Sequence, residues 1–125
     1  MAQTLDQQRA ALAWGYATAA MKTGFAKKYR NLAKGAPALI MNSGLMPTLA
    51  FYNSKDPEHR ALLEDLLTGL STRLKPSPQP KNFQEFMVHL QQKCTSQDYL
   101  RMTDEALELL KWLRQFVDAV ETQGA

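Results

Sequence analysis

The sequence predicts an all-helical protein, and three observations support that prediction. Valine and isoleucine, which favour strands, total only four of the 125 residues. Alanine, leucine, glutamine, lysine and glutamate dominate the chain, and these residues favour helices. The length corresponds to one domain, so we expect residues 1–125 to form a single compact bundle of about six to seven helices.

The first helix is predicted to begin after Thr4, because Gln7 follows three residues later and completes a capping box. We expect this helix to end near Met21. Its middle is apolar nearly all round, with Trp14 and Tyr16 on different faces. A helix of this kind is buried on several sides or meets a partner.

A short second helix is predicted over residues 24–33, with Gly35 as its stop. Its large apolar positions share one face, at Phe25, Tyr29 and Leu32. Three basic positions share the opposite face, at Lys27, Arg30 and Lys34. Pro37 suits the first turn of a third helix over residues 37–42, which Gly44 closes, and a fourth is predicted over residues 47–52.

A fifth helix is predicted to begin at Asp56-Pro57-Glu58, which supplies an N-cap, a proline at the first position and an acid facing the helix dipole. It is expected to run to about Lys75 and carries six leucines. Residues 75–81 contain three prolines and predict an exposed, stiff connector.

The last two predicted helices cover residues 83–93 and residues 97–121, the second capped by Thr95 or Ser96. The final one is the longest, and its apolar face extends from Tyr99 to Val120. A helical wheel places Trp112 among the polar positions opposite, and a large indole facing solvent is typical of a protein interface. The predicted partner interface comprises Trp112, Arg101 and Lys111.

The sequence carries no catalytic or metal-binding motif. Its single cysteine, Cys94, excludes an intrachain disulfide and a zinc site built from cysteines. His59 and His89 lack metal-binding spacing, and no glycine-rich phosphate loop is present. We therefore expect no enzymatic activity, no metal and no cofactor.

Acidic residues are concentrated in two stretches, residues 56–65 and residues 98–121. We expect these stretches to be solvated helix faces with ordinary salt partners, such as Arg101 with Glu105 and Glu108 with Lys111. A hydrolase that uses clustered carboxylates and a metal ion stays open as a minor alternative.

The modest net charge of +3 conceals an asymmetry along the chain. Residues 1–55 hold seven basic residues and one acid, a net +6, whereas residues 56–125 hold eight basic residues and eleven acids, a net −3. A basic first half favours a polyanionic partner, contacted through its phosphate backbone. The predicted nucleic-acid contacts are Lys22, Lys27, Lys28, Arg30 and Lys34.

The longest uncharged run is residues 35–54, and we expect it to be the buried middle of a helical domain rather than a membrane span. Its two prolines would leave backbone groups unsatisfied in lipid. The start of the chain lacks the pattern of a signal peptide. We expect a cytoplasmic protein without a membrane partner.

Residues 36–51 (APALIMNSGLMPTLAF), preceded by Tyr29, and residues 99–116 (YLRMTDEALELLKWLRQF) carry a family resemblance. Their order and spacing, together with the chain length, resemble the small subunit of the type III-B CRISPR–Cas (Cmr) RNA-silencing complex. The resemblance spans nearly the whole chain and rests on helix-packing patterns. It implies a compact helical protein without an active site.

The same resemblance implies which partners to expect. In that family, copies of the small subunit stack beside a repeated backbone subunit, line the path of the guide RNA–target RNA duplex and touch the large subunit. RNA cleavage belongs to the backbone subunit, and polymerase-type chemistry belongs to the large one. The function implied is a non-catalytic scaffold subunit that contacts RNA in antiviral defence, with other Cmr subunits and copies of itself as partners.

A free-standing DNA-binding protein is the main alternative function. It would use a helix-turn-helix over residues 24–44. Against it, the predicted second element is short and apolar, and Asn42 is its only residue suited to reading base edges.

Overall fold

The computed structural model describes residues 2–120, and within that range the chain is helical without any strand. Its α-helices, in chain order, are α1 (Leu5–Ala20), α2 (Ala26–Ser43), α3 (Leu45–Asn53), α4 (Pro57–Leu74), α5 (Phe83–Val88) and α6 (Ser96–Ala119). A π-helical segment, His89–Lys93, continues directly from α5. The all-helical prediction is confirmed, including the long final helix.

The capping box predicted at the start of α1 is present. Thr4 Oγ1 accepts a hydrogen bond from the Gln7 backbone N–H at 3.1 Å, and Gln7 Oε1 accepts one from the Thr4 N–H at 2.8 Å. Two backbone donors that the helix leaves free are thereby satisfied. The helix ends at Ala20, close to the predicted end.

The predicted break at Gly35 is wrong, because α2 continues through Gly35 and Pro37 to Ser43. Proline inside a helix removes one backbone hydrogen bond and crowds the preceding turn. Burial of residues before and after Gly35 offsets that cost, since Ala33, Ala36 and Ile40 are all enclosed. Burial that involves distant parts of the chain outweighs the local stop signal here.

Gly44 ends α2 and begins α3, as its position before a new apolar run predicts. Its φ of +93° lies in the region that side chains with a Cβ disfavour, and its N–H donates to the Ile40 carbonyl at 2.7 Å. The predicted fourth helix corresponds to α3, which is slightly longer at both ends. The sharp corner places α3 against α4.

The start of α4 is confirmed, with Asp56 at the N-cap and Pro57 in the first helical position. The leucines that the sequence assigns to its buried face are enclosed, at Leu62, Leu63, Leu66, Leu67 and Leu70. The connector that follows is irregular and mostly exposed, as predicted.

The helix predicted over residues 83–93 changes geometry partway, because α5 gives way to the π-helical segment at His89. The Cys94 N–H donates to the His89 carbonyl at 3.0 Å, five residues earlier, which is the π-helical spacing. Thr95 then caps α6 by accepting from the Asp98 N–H at 3.0 Å. The predicted end of α6 at Glu121 lies outside the described residues.

The core forms where α6 packs against α1, α2 and α4. The uncharged run of residues 35–54 contributes Ala36, Ile40, Leu45, Leu49 and Tyr52 to this core, as predicted. Across residues 2–120, no helix has the length and apolar character needed to cross a membrane.

Candidate nucleic-acid interface

Three of the five predicted RNA-contacting residues lie together at the turn between α1 and α2. Lys22 is in the turn itself, and Lys27 and Lys28 are in the first turn of α2. All three side chains are exposed, and none forms an ion pair with another residue of the described range. We call Lys22, Lys27 and Lys28 the basic corner.

The backbone adds to the positive potential of the basic corner. The N-terminus of α2 has no side-chain cap and no acidic residue in its first turn. The first peptide N–H groups of a helix lack partners within the helix and carry its positive dipole end. The positive lysines are repelled by the positive end of the helix dipole. A phosphate group would be attracted by the lysines and by the backbone N–H groups together.

The other two predicted RNA-contacting residues, Arg30 and Lys34, face α6 instead. Lys34 Nζ lies 2.7 Å from Asp118 Oδ2, and Arg30 Nε lies 3.6 Å from Asp118 Oδ1. Arg30 also donates to the Val117 carbonyl at 3.3 Å. Asp118 therefore offsets part of the charge that the sequence assigned to a phosphate-binding face.

The charge asymmetry of the sequence is reduced by folding. The acids of α6 that meet cations of the first half are Glu105, Glu108 and Asp118. Their partners from the first half are Arg9, Arg30 and Lys34. These three cations therefore form ion pairs within the molecule. Of the predicted RNA-contacting residues, the three lysines of the basic corner are the ones that stay available to a ligand.

The prediction that the acidic stretches form solvated faces is wrong at Glu105. Its side chain is buried, and it pairs with Arg9 of α1 and Arg73 of α4 rather than with Arg101. At 100° per residue, Glu105 lies about 20° from Phe116, at the edge of the apolar face rather than opposite it, and α1 and α4 close over that edge. The predicted pairing of Glu108 with Lys111 is present at 3.2 Å.

Asp65, in the other acidic stretch, is also partly buried and accepts a hydrogen bond from the Tyr29 hydroxyl at 2.5 Å. Burial raises the pKa of Asp65 to about 6, and the hydrogen bond from Tyr29 opposes that shift by favouring the carboxylate. Burial likewise raises the pKa of Tyr16 to about 12, and the Asp65 charge adds to this effect. This polar cluster ties α2 to α4 and is internal to the bundle.

The placement of Trp112 on a solvent face is wrong, because its indole is half-buried against the core. At 100° per residue, Trp112 is only about 40° from Phe116 and so flanks the apolar face of α6. Its Nε1 is enclosed and has no hydrogen-bond partner among residues 2–120. Its ring lies 5.8 Å from that of Phe116, one helical turn later. The predicted role of Trp112 in a partner interface stays a prediction.

Trp14 of α1 is the aromatic residue that faces outward at this edge. It is 48% exposed, and its ring meets Phe116 edge to face with centroids 5.0 Å apart. Trp14, Phe116 and Trp112 form a continuous group that we call the aromatic edge. The apolar residues around Trp14 in the sequence predict either burial or a partner contact, and the exposure of its ring favours the second.

The two charged residues predicted beside Trp112 lie at different distances from it. Lys111 Nζ is 5.6 Å from the Trp112 ring centroid, close enough for a cation–π contact. Arg101 is exposed but lies about 16 Å further toward the N-terminus of α6, three turns away. The structure therefore brings Lys111, and not Arg101, to the aromatic edge.

The histidines and the cysteine occupy two separate places. His89 is buried beside the connector, and burial raises the pKa of the nearby Cys94 thiol, which disfavours the reactive thiolate. Asp56, Glu58 and His59, in contrast, bring their ligand atoms within 4.8 Å of one another. Histidine spacing does not reveal this group, because its ligands are a mixed set of two carboxylates and one imidazole at a helix start.

The helix-turn-helix alternative loses its structural basis. Residues 26–43, which it divides into two helices and a turn, form one continuous helix. No second helix is therefore available within residues 24–44 to enter a major groove.

Comparisons with known proteins agree with the resemblance seen in the sequence. The family model for the CRISPR-associated protein Cas_Cmr5 matches residues 5–120. The Cmr subunit Cmr5 of the CRISPR system of Thermus thermophilus is 31% identical over 94 residues, which cover 74% of this chain and 75% of that protein. The X-ray structure of a CRISPR-associated Cmr5 family protein from the same organism has a TM-score of 0.75 and 28% identity, covering 94% of this chain and 97% of the other.

The match extends from the first turn of α1 to the end of α6, and so includes both the basic corner and the aromatic edge. The similarity thus covers the whole helical bundle and not one packing motif. On the family match and on the identity with the Thermus protein, the chain belongs to the Cmr5 family of CRISPR-associated proteins.

Proposed function

We propose that this chain is a non-catalytic small subunit of a cytoplasmic type III-B Cmr effector complex, where it scaffolds the assembly and contacts RNA in antiviral defence. Membership of the Cmr5 family over residues 5–120 is the observation that carries the proposal. The name of the Thermus relative, a Cmr subunit, supports it. RNA cleavage is left to other subunits, as the resemblance in the sequence implies.

The basic corner is the surface that we assign to RNA. Lys22, Lys27 and Lys28 are exposed, and no acid of the described residues pairs with them. They flank the uncapped N-terminus of α2, which favours anions. Contacts of this kind bind phosphates and carry no sequence information, which suits a subunit that must accept any guide and target.

Lysine footprinting in the assembled complex tests this assignment. The complex is acetylated with and without bound target RNA, and the modification of each lysine is measured by mass spectrometry. We expect RNA to protect Lys22, Lys27 and Lys28, while the exposed Lys81 and Lys93 keep their reactivity. Equal acetylation of the basic corner in both states would show that it does not contact the target RNA.

The aromatic edge is the surface that we assign to neighbouring subunits, whether other Cmr proteins or a second copy of this chain. Exposed aromatic residues that pack on a rigid support are typical anchors of protein interfaces. Trp14 is held by Phe116, so little side-chain freedom is lost when a partner covers it. Lys111 supplies a charged rim beside the same group.

Reconstitution with a Trp14→Ser variant tests the assignment of the aromatic edge. Native mass spectrometry of the complex should show a lower occupancy of the variant than of the unmodified chain. Met41→Ser is a matched control, because Met41 is even more exposed but lies at the end of α2 that meets the start of α6, whereas Phe116 is near the end of α6. If the variant and its control enter the complex equally well, the aromatic edge is not the subunit contact.

A further inference from the structure

Three potential metal ligands lie together at the start of α4. Asp56, Glu58 and His59 each bring one ligand atom within 4.8 Å of the other two. None of the three side chains makes a hydrogen bond or an ion pair with another residue of the described chain. Asp56 is open to water, whereas Glu58 and His59 are more enclosed, and an enclosed polar group normally has a partner.

Glu58 is the first independent sign of a ligand. It is only 5% exposed, yet no basic residue or donor within residues 2–120 binds its carboxylate. The fold therefore holds this carboxylate in place without a cation beside it, which leaves it available to a bound one. The nearest lysine in sequence, Lys55, instead places its ammonium 5.1 Å from the Phe51 ring centroid.

His59 is the second sign. Its Nδ1 is enclosed and has no hydrogen-bond partner among the described residues. Two aromatic rings of α3 fix the imidazole, with centroids 6.1 Å away at Phe51 and 5.7 Å away at Tyr52. A fixed imidazole beside two carboxylates forms a prepared set of donors rather than a mobile surface group.

Asp56 completes the set, because its side chain is not used for the role that the N-cap position predicts. An aspartate at this position normally accepts from a backbone N–H of the first turn, but here its carboxylate caps none. Only its backbone carbonyl is used, accepting from the His59 and Arg60 N–H groups at 3.0 and 3.1 Å. The carboxylate is therefore available as a ligand.

We propose that Asp56, Glu58 and His59 bind one divalent transition-metal ion of the Zn²⁺ type at the start of α4, beside the aromatic rings of α3. One imidazole nitrogen and two carboxylate oxygens suit Zn²⁺, whereas Mg²⁺ prefers oxygen ligands alone. Ligands about 2.1 Å from an ion lie at most about 4.2 Å apart, so small side-chain rotations close the set. Two carboxylates also outweigh the repulsion between a cation and the helix N-terminus.

Calorimetric titration of the full-length protein, first stripped with a chelator, tests the site with Zn²⁺ alone. We expect one Zn²⁺ per chain, a rise in Tm on binding and no comparable effect of Mg²⁺. Asp56→Asn and His59→Gln should each weaken Zn²⁺ binding about tenfold or more. Asparagine remains a good N-cap, so Asp56→Asn preserves folding even if His59→Gln does not.

The matched control is a His89→Gln, Cys94→Ser double variant, which removes the other histidine and the only thiol. It should bind Zn²⁺ as the unmodified chain does. Absence of Zn²⁺ binding, unchanged affinity in Asp56→Asn, or loss of binding in the double variant would each overturn the proposal.

Discussion

Arg9 of α1 donates two hydrogen bonds to the Glu105 carboxylate of α6, from Nε at 2.8 Å and from Nη2 at 2.9 Å. Glu105 is only 4% exposed, and Arg73 Nε of α4 lies 3.3 Å from the same carboxylate. The hydrogen bond to Glu105 raises the pKa of Arg9, which keeps the guanidinium charged. Three helices are thus joined through one buried carboxylate.

Replacing Arg9 with alanine should lower the free energy of unfolding by about 3 kcal/mol. The change leaves Glu105 buried with Arg73 as its remaining cation, and breaking a buried ion pair costs more than the pair contributes. Urea denaturation followed by circular dichroism at pH 7 measures the effect. Arg114→Ala is the control, since Arg114 is exposed and should matter by less than about 0.5 kcal/mol. Equal losses in the two variants would show that the buried pair has no special weight.

Gly69 of α4 is expected to resist substitution because α6 approaches it closely. A Cβ at this position would lie 2.8 Å from Leu109 Cδ1 and 3.3 Å from the Tyr16 hydroxyl. Gly69→Ala should therefore lower the free energy of unfolding by about 1–3 kcal/mol.

Gly35→Ala is the matched control for Gly69→Ala. Gly35 is also inside a helix, but nothing lies within 4 Å of its added Cβ. This change should raise stability by about 0.5–1 kcal/mol, because alanine loses less backbone entropy than glycine when a helix forms. Both values come from thermal and urea unfolding, and a stabilising Gly69→Ala would contradict the close packing of α4 on α6.

Asp65 should make stability depend on pH between about 4 and 6. Its pKa is about 6 in the folded protein against an ordinary value of 3.8, chiefly because of burial, so the folded state holds its proton more tightly. The stability that this proton contributes is complete below pH 3.8 and is lost as the pH rises through 6. Tyr16, Tyr29 and Glu64 face the same carboxyl group.

An Asp65→Asn variant isolates this effect, since its amide cannot titrate but can still accept from Tyr29. The unfolding free energy of the unmodified protein, minus that of the variant, should fall by about 2–3 kcal/mol between pH 3.5 and pH 7. Urea unfolding at half-unit pH steps gives this difference. The contributions of the other acidic residues are the same in both proteins and therefore largely cancel. Parallel pH profiles would show that Asp65 titrates normally.

Asp118→Asn should strengthen RNA binding by the assembled complex, because it releases Lys34 from an ion pair of 2.7 Å. Removal of one negative charge beside a basic surface acts in the same direction. We expect a gain of a few-fold at low salt that fades at high salt. Glu85→Gln, an equal change of charge beside the connector, is the control, and an equal gain in both variants would contradict a local effect.

Local signals in the sequence were sufficient to place most helix starts. Thr4, Asp56 and Thr95 mark starts because capping depends on residues within one turn. The helix end predicted at Gly35 is wrong for the opposite reason. The burial that stabilises α2 beyond Gly35 involves distant parts of the chain. Propensity is a weak signal wherever tertiary packing competes with it.

The candidate RNA site was predictable only in part, because charges pair across long separations. Lys34 and Asp118 are 84 positions apart, and no sequence pattern brings them together. The burial of Glu105 and of Trp112 likewise depends on which helix covers each face of α6. Lys22, Lys27 and Lys28 are exposed, as a phosphate contact requires, and no acidic side chain of the described residues pairs with them.

The salt dependence of RNA retention by the assembled complex tests the role of the basic corner most directly. A Lys22→Ala, Lys27→Ala, Lys28→Ala variant is compared with a Lys81→Ala, Lys93→Ala, Arg114→Ala variant, which removes the same charge from other exposed positions. Affinity decreases as salt increases, and we predict that the slope of log affinity against log salt becomes less steep by about 2 in the Lys22, Lys27, Lys28 variant. The slope should stay unchanged in the control variant. Equal slopes in the two variants would contradict RNA binding at the junction of α1 and α2.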